Sequence, residues 1–345
     1  GGAAAAGGGG GGGSAGGGGG FATVAKVAPW AAVDRSLARE CNERRAWLAD
    51  GDIPTLEDLP NEIAVLSHLQ NSDAESSRFV VRLLGAFRDP VSAYMVTEYC
   101  EGGELFERVA CGEPLAEGEK KRYIAQFLQA VQYLHGRNIG HRDLSLENVL
   151  LRRGDCVLAD FGQAVRLRGL DGTPLRYFAE AGKRMYRAPE MYVPRHSVVQ
   201  VVCPNDGLPG CVAQVSYDKC RCEVLLPPDA VPGKPCSAET YGYTAAPADI
   251  FACGVCAFVL VVGKPPWAVA RDVDPTFSFI RRHGVAMLLK QWRVGAPPAH
   301  GAVEEEALLA QMLRTDPSRR PSLEECLRAP WLAEHVPPRF RAQTA

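Results

Sequence analysis

Apolar and polar positions change their rhythm several times along this chain, and each change predicts a different element. FATVAKVA, residues 21–28, reads as a short β run that Pro29 stops. From Ala31 to Ala49 the spacing of Val33, Leu37, Cys41 and Leu48 among Arg and Glu predicts a helix. DLPNEIAVLSHLQ opens a second helix, with Pro60 at its start and Leu59, Ile63, Leu66 and Leu69 along one face. FVVRLLGAF and AYMVTEYC are strand-like, rich in β-branched and aromatic residues.

After EGGELFERV the helical rhythm dominates. EKKRYIAQFLQAVQYLHGR carries Tyr123, Phe127, Val131 and Leu134 as its apolar stripe. Residues 193–247, rich in Pro, Gly and Cys, show little periodicity and read as an insertion loop or small excursion. Helices resume with Ile250–Gly263, LLKQW, EEEALLAQMLR and SLEECLRAPWL. The Ile250–Gly263 run falls short of the roughly 18 to 20 residues a membrane span needs, so a helix buried in protein is expected. Residues 1–20 are almost pure Gly and Ala and read as a flexible low-complexity tail. A small lobe over about 21–100, mixed in strands and helices, and a larger mainly helical one over about 101–335 are therefore expected.

Bulk properties narrow the function. The 345 residues carry a formal charge of −2, which argues against a dedicated nucleic-acid binder. Twelve cysteines lie scattered from Cys41 to Cys326, without the density of a disulfide scaffold, so free thiols in an intracellular compartment, cytoplasm or nucleus, are expected. No membrane partner is expected, and oligomeric state is left open. The chain opens with glycine rather than methionine, as a fragment would.

Candidate chemistry concentrates in HRDLSLENVLL, residues 141–151, and ADFGQA, residues 159–164. Asp143 can accept a hydroxyl proton, Asn148 offers an amide oxygen, and Asp160 adds a hard carboxylate. That set suits Mg2+, which prefers oxygen ligands, and suits phosphoryl transfer, which needs a positioned hydroxyl and compensated charge. Gly162 lets the backbone turn, and Phe161 can pack inward behind the aspartate.

Together these stretches resemble the eukaryotic-type protein kinase family, serine/threonine-like. HRDLSLENVLL is similar to its catalytic loop, DFG at 160–162 to its metal-binding motif, and YRAPE at 186–190 to the end of its activation segment. NEIAVLSHL resembles the helix that presents an ion-pairing glutamate, here Glu62. EYCEGGELF resembles the hinge, with Glu98 to Cys100 along the adenine edge and Glu104 near the ribose. ADIFACG resembles the start of a central helix whose Asp249 braces the catalytic loop, and Arg320 would pair with Glu190. The resemblance covers about residues 21–332. It implies an α+β, bilobal protein-kinase-like fold with a β-rich N-lobe and a helical C-lobe. ATP and Mg2+ are the implied cofactors, with Asn148 and Asp160 as metal ligands and Asp143 as base or orienter. The implied partners are protein substrates bearing Ser or Thr, because HRDLSLEN lacks the tyrosine-kinase pattern.

The sequence departs from the family twice. Either GGGGGFATV is the phosphate loop and Asp34 takes the ATP-lysine position, or TVAKV is that strand and Lys26 is the lysine. The second is favoured, since Pro29 ends a strand cleanly and an aspartate would repel phosphates. Ser145 stands where the family's serine/threonine kinases place a lysine, and Lys183 where they usually place threonine. The two chemistries read as exchanged, Lys183 reaching toward the γ-phosphate near Asp143 and Ser145 hydrogen-bonding in its place. Arg142, which in the family often binds a phosphate on the activation segment, is expected to meet Glu180 instead. Arg187 is expected beside the substrate groove. RMYRAPE is close to cyclin-dependent and MAP-type kinases, whereas EYCEGGELF and RAPWL resemble calcium/calmodulin-dependent ones, so the subfamily stays open. The competing class is a pseudokinase scaffold, and a small-molecule kinase of similar fold comes third. Cys203, Cys211, Cys220, Cys222 and Cys236 raise the question of zinc, but CRC is one residue too close for a knuckle, so thiols are expected.

Overall fold

A computed structural model describes residues 23–29, 58–70, 77–112, 115–192, 197–217, 220–292 and 302–340. The glycine tract, Asp34 and the helix expected over Ala31 to Ala49 lie outside the described residues.

The small lobe is a three-stranded antiparallel sheet in the order β1-β3-β2, from β1 (Thr23–Pro29), β2 (Leu83–Arg88) and β3 (Ser92–Glu98), with helix α1 (Leu59–Gln70) beside it. Strand β1 is antiparallel to β3 in a register that sets Lys26 opposite Met95. Leu59, Leu66 and Leu69 bury one face of α1, as its spacing predicts, and Glu62 is buried with them. A charged group at a core-facing position signals a partner, since burying it alone is prohibitive.

The large lobe follows through α2 (Leu105–Ala110) and α3 (Glu117–Gly136), then a short strand pair, β4 (Ile139–Gly140) with β7 (Val165–Arg166). Between them lies a hairpin, β5 (Val149–Arg152) with β6 (Asp155–Leu158). Helix α4 (Ala245–Val262) forms the centre, with Phe251, Phe258 and their neighbours buried. Its 18 residues exceed the apolar run read from the sequence and are long and apolar enough, by length and composition, to cross a membrane. Length therefore does not decide its setting; 78% of that stretch is buried among its own lobe's side chains. Helices α5 (Pro275–His283), α6 (Val285–Trp292), α7 (Ala302–Met312) and α8 (Leu323–Leu327) close the lobe, and Ser322 and Glu325 form a capping box on the last.

The stretch read as an irregular excursion contains a folded sheet. Strands β8 (Val198–Val202), β9 (Val212–Tyr217), β10 (Cys220–Leu225) and β11 (Pro235–Thr240) pair antiparallel in the order β8-β11-β10-β9. Val199, Val201, Cys203, Val215, Cys222, Val224, Leu226, Ala230 and Ala238 form its own buried cluster, separate from the main core. The alternation behind it is short and two-phased, in strands of five or six residues broken by Pro and Gly, and Cys and Ala fill positions where Val or Ile would signal a strand.

Candidate active site

The hairpin register brings Asn148 and Asp160 to the same end of the strand pair. Val149 pairs with Leu158, so the residues flanking the two strands emerge at the same open end. Ala159 N–H donates to the Asn148 carbonyl at 2.9 Å, which extends the ladder by one step. The Asn148 side-chain nitrogen donates to the Asp143 carbonyl at 2.7 Å, so of its two polar atoms the amide oxygen is the one that could meet a cation. Asp160 has φ 61, a left-handed backbone that L-residues rarely adopt, and such strain gathers where function demands a particular geometry. An amide oxygen beside a carboxylate is the donor chemistry Mg2+ takes.

Asp143 is carried by a loop pinned from below. Asp249, buried in the first turns of α4, accepts from the backbone N–H groups of His141 and Arg142, both at 2.8 Å, and lies 2.9 Å from His135 Nε2. This is the bracing expected of it. Arg142 also has a left-handed backbone, φ 65. Burial raises the Asp143 carboxyl above the ordinary aspartate range, and neighbouring Asp160 adds to the rise; His141, Lys183 and an Asn148 hydrogen bond counter it. Asp143 Oδ1 also accepts from the Lys183 N–H at 3.2 Å. Gly182, at φ +77, makes this approach possible, because a Cβ there would stand 2.6 Å from the Arg142 carbonyl oxygen.

Across the cleft, Lys26 Nζ donates to Glu62 Oε2 at 2.9 Å and lies 3.6 Å from Asp160 Oδ1. Of the two sequence alignments, the one with Lys26 on the strand matches this geometry. Glu62 Oε1 accepts from Phe161 N–H at 3.2 Å, so one buried carboxylate holds the lysine and the loop that carries Asp160 together. Burial raises the Glu62 carboxyl, and Lys26 opposes the rise. Phe161 is fully buried, its ring 5.0 Å from that of His141. Asn61 adds a hold the sequence reading missed: its side-chain nitrogen donates to the carbonyls of Phe161, Gly162 and Ala164, best at 2.9 Å to Ala164. No local pattern marks an exposed-looking asparagine whose partners lie about a hundred residues on.

The hinge residues divide. The Glu98 carboxylate is committed to Arg152 at 2.6 Å and the Arg82 N–H at 3.0 Å, and its own N–H donates to the Arg82 carbonyl at 3.0 Å, so neither its side chain nor its N–H is left for an adenine edge. Cys100 is buried, which pushes its thiol up to about 11. Glu104 precedes α2, and partial burial with Glu107 and Glu147 nearby raises its carboxyl.

One expectation in the activation segment is corrected. Glu180 pairs with Arg187, not with Arg142. Arg142 instead donates to the Gln163 carbonyl at 2.9 Å and stacks 5.0 Å over the Tyr177 ring. Arg187 also donates to the Ala181 and Gly182 carbonyls at 3.0 and 2.7 Å, so its guanidinium braces the segment. Seven residues separate Glu180 from Arg187, and one turn of the chain brings them together before the more distant arginine can compete. Lys183 Nζ, by contrast, reaches Ser145 Oγ at 3.0 Å and Glu147 at 3.6 Å. Glu190 and Arg320 form the expected buried pair, Arg320 Nη2 donating to Glu190 Oε2 at 2.7 Å.

The family model described as "Protein kinase domain" matches residues 16–200 and 223–332, well over half the chain. The chain belongs to the protein kinase domain family. The match leaves out residues 201–222 of this kinase domain, which fall inside the extra four-stranded sheet. Among curated proteins, the domain is 28% identical over 285 residues to CBL-interacting protein kinase 30 of Oryza sativa subsp. japonica, covering 82% of this chain and 46% of that protein. It is 26% identical to CBL-interacting serine/threonine-protein kinase 5 of Arabidopsis thaliana, covering 82% and 49%. It is 28% identical over 260 residues to the calcium/calmodulin-dependent protein kinase type II alpha chain of Drosophila melanogaster, covering 74% and 38%. The kinase domain thus spans less than half the length of these relatives.

Proposed function

We propose that this kinase domain transfers the γ-phosphate of Mg-ATP to serine or threonine hydroxyls of protein substrates. The observation that carries the reading is the double hold of Glu62, on Lys26 across 36 residues and on Phe161 of the metal loop. An ion pair alone would be ordinary; one that also fixes the backbone beside Asp160 orders phosphate grip and metal site together. Bound there, Mg2+ would neutralise charge on the phosphate oxygens. Asn148 and Asp160 would hold it through oxygen, Lys26 would hold phosphate oxygens, and the hinge main chain from Glu98 to Cys100 would meet the adenine. Asp143 orients the substrate hydroxyl and takes its proton at the carboxylate. The Arabidopsis relative, a CBL-interacting serine/threonine-protein kinase, supports the serine/threonine assignment.

The test is transfer of labelled phosphate to a generic protein substrate with Mg2+. Lys26→Met is expected to cut transfer on the order of 100-fold, as for removal of one preorganised charge-stabilising donor. An active Lys26→Met protein would move the phosphate grip elsewhere.

Lys183 takes the catalytic position that Ser145 leaves without a cation. Its ammonium sits on Ser145 Oγ, and its backbone N–H lies on Asp143, so the side chain hangs beside the reacting centre. It is 40% exposed and can swing from Glu147 to a phosphate without crossing the core. Lys183→Ala is expected to lower kcat on the order of 10- to 100-fold with the KM for ATP nearly unchanged. The exchanged double variant Ser145→Lys/Lys183→Thr is expected to recover most of that loss. Parent-like kcat in Lys183→Ala would remove the residue from catalysis. The competing reading, a scaffold that binds partners without efficient transfer, draws on the same Glu147 contact, which occupies the ammonium. A folded parent without transfer activity would favour it.

A further inference from the structure

The extra sheet lies against the activation segment, which is gripped by one of its residues and by two from the chain just after it. Glu223 on β10 and Tyr241 after β11 are cross-strand neighbours, Tyr241 N–H donating to the Glu223 carbonyl at 2.9 Å. Both reach Arg176 of the segment: Glu223 through a side-chain ion pair, Tyr241 through its ring, 4.3 Å beneath the guanidinium. One step along, Tyr177 and Tyr243 exchange two backbone hydrogen bonds of 2.9 Å, and the Tyr243 hydroxyl donates to the Ala179 carbonyl at 2.8 Å. Tyr243 is 2% exposed and also lies 3.5 Å from Arg142 of the catalytic loop. Gly242, at φ +71, permits this contact, since a Cβ would meet the Tyr177 carbonyl oxygen at 2.8 Å. Strand β10 packs besides on Pro189–Tyr192, where the segment ends.

We propose that Glu223 is a positioning residue that fixes the activation segment through Arg176, so that the extra sheet supplies the ordering charge a phosphate would otherwise bring. This rests on the phosphotransfer reading above. Segments of this kind are ordered when an added anion pairs with an arginine. Here the arrangement is reversed: the arginine, Arg176, lies on the segment, and the carboxylate, Glu223, lies on the sheet from the start. From Asp160 to Glu190 the chain has one threonine and no serine, and Thr173 Oγ1 is spent on Asp171 at 2.6 Å. The hold is relayed along the backbone from Arg176 through Ala179 to Gly182 and Lys183, whose N–H lies on Asp143. The family match omits 201–222, which hold β9 and the start of β10, and resumes at Glu223.

Hydrogen–deuterium exchange over residues 168–182 reads the hold whether or not transfer occurs. Glu223→Gln is expected to speed exchange there about fivefold or more, and to lower kcat about 5- to 10-fold with little change in the KM for ATP, in the range of a partly buried charge-assisted bond. The pair Arg176→Glu/Glu223→Arg is expected to restore both. Phosphatase-treated parent is expected to keep its activity. Unchanged exchange in Glu223→Gln overturns the proposal, as does faster exchange with parent-like kcat, or loss of activity on phosphatase treatment. A folded parent that is inactive while its segment loosens in Glu223→Gln would instead count against phosphotransfer and leave the sheet's grip supported.

Discussion

Asp143→Asn is expected to lower phosphate transfer about a thousandfold, within the range found when a positioned general base is removed. The asparagine keeps the shape of the carboxylate and an oxygen that can still accept from the Lys183 N–H, so the loss reports chemistry rather than collapse. Binding of nucleotide, followed by fluorescence or calorimetry, should change little. Equal turnover in parent and variant would remove Asp143 from the reaction.

The same substitution carries an opposite sign for stability. Burial raises the Asp143 pKa in the folded protein, so the folded state favours the protonated carboxyl. A group shifted upward contributes its full stability below the unfolded pKa and loses it as pH climbs through the folded one. At neutral pH the ionised Asp143 is therefore a burden on the fold, and Asp143→Asn should unfold at the same temperature as the parent or higher. Thermal unfolding between pH 4 and pH 8 checks this. The advantage should fade toward the acid end, where the parent is already protonated. Activity should fall on the same acid side, along a limb displaced upward from an ordinary aspartate.

Arg320→Ala is expected to destabilise the large lobe by about 3–5 kcal/mol, the loss typical when one partner of a buried ion pair is removed. Its side chain is fully buried, Glu190 is 6% exposed, and the two meet in a bidentate fork. Arg320 also donates to the carbonyls of Arg314 at 2.9 Å and Pro247 at 2.8 Å, which the alanine would leave without these donors. Replacing both partners by apolar residues should cost less than either single change, because no charge is then stranded. Urea unfolding of the two singles and the double measures this directly, and a double as unstable as the sum of the singles would refute it.

The family and both lobes were legible because their signals are local. HRDLSLEN and DFG sit on short loops whose residues touch within a few positions, and the faces of α1, α3 and α4 repeat over three or more turns. Lys26 was readable through Pro29, a residue whose backbone chemistry ends a strand. The sheet at 198–240 was not, because each strand offers only one or two buried apolar residues, several of them Cys or Ala. Asn61 escaped for another reason: its three acceptors are backbone carbonyls, and no side-chain pattern advertises them. The Glu180 partner was misassigned by reasoning from a role when a nearer arginine was available. Side-chain pairing over long sequence distance is set by packing, which periodicity does not encode.

The divided attachment of Glu62 has a thermodynamic corollary. With one oxygen on Lys26 of the small lobe and the other on the Phe161 N–H of the large one, this carboxylate makes two binding events share a single equilibrium. A ligand that settles Lys26 in its place lowers the free energy of the same lobe arrangement that presents Asp160 to a cation. Linkage is reciprocal, so each would then strengthen the other by an equal factor. Under the proposed function, nucleotide and divalent ion would thus bind cooperatively through one side chain, and shortening it to aspartate should uncouple the two while leaving each site's own residues in place.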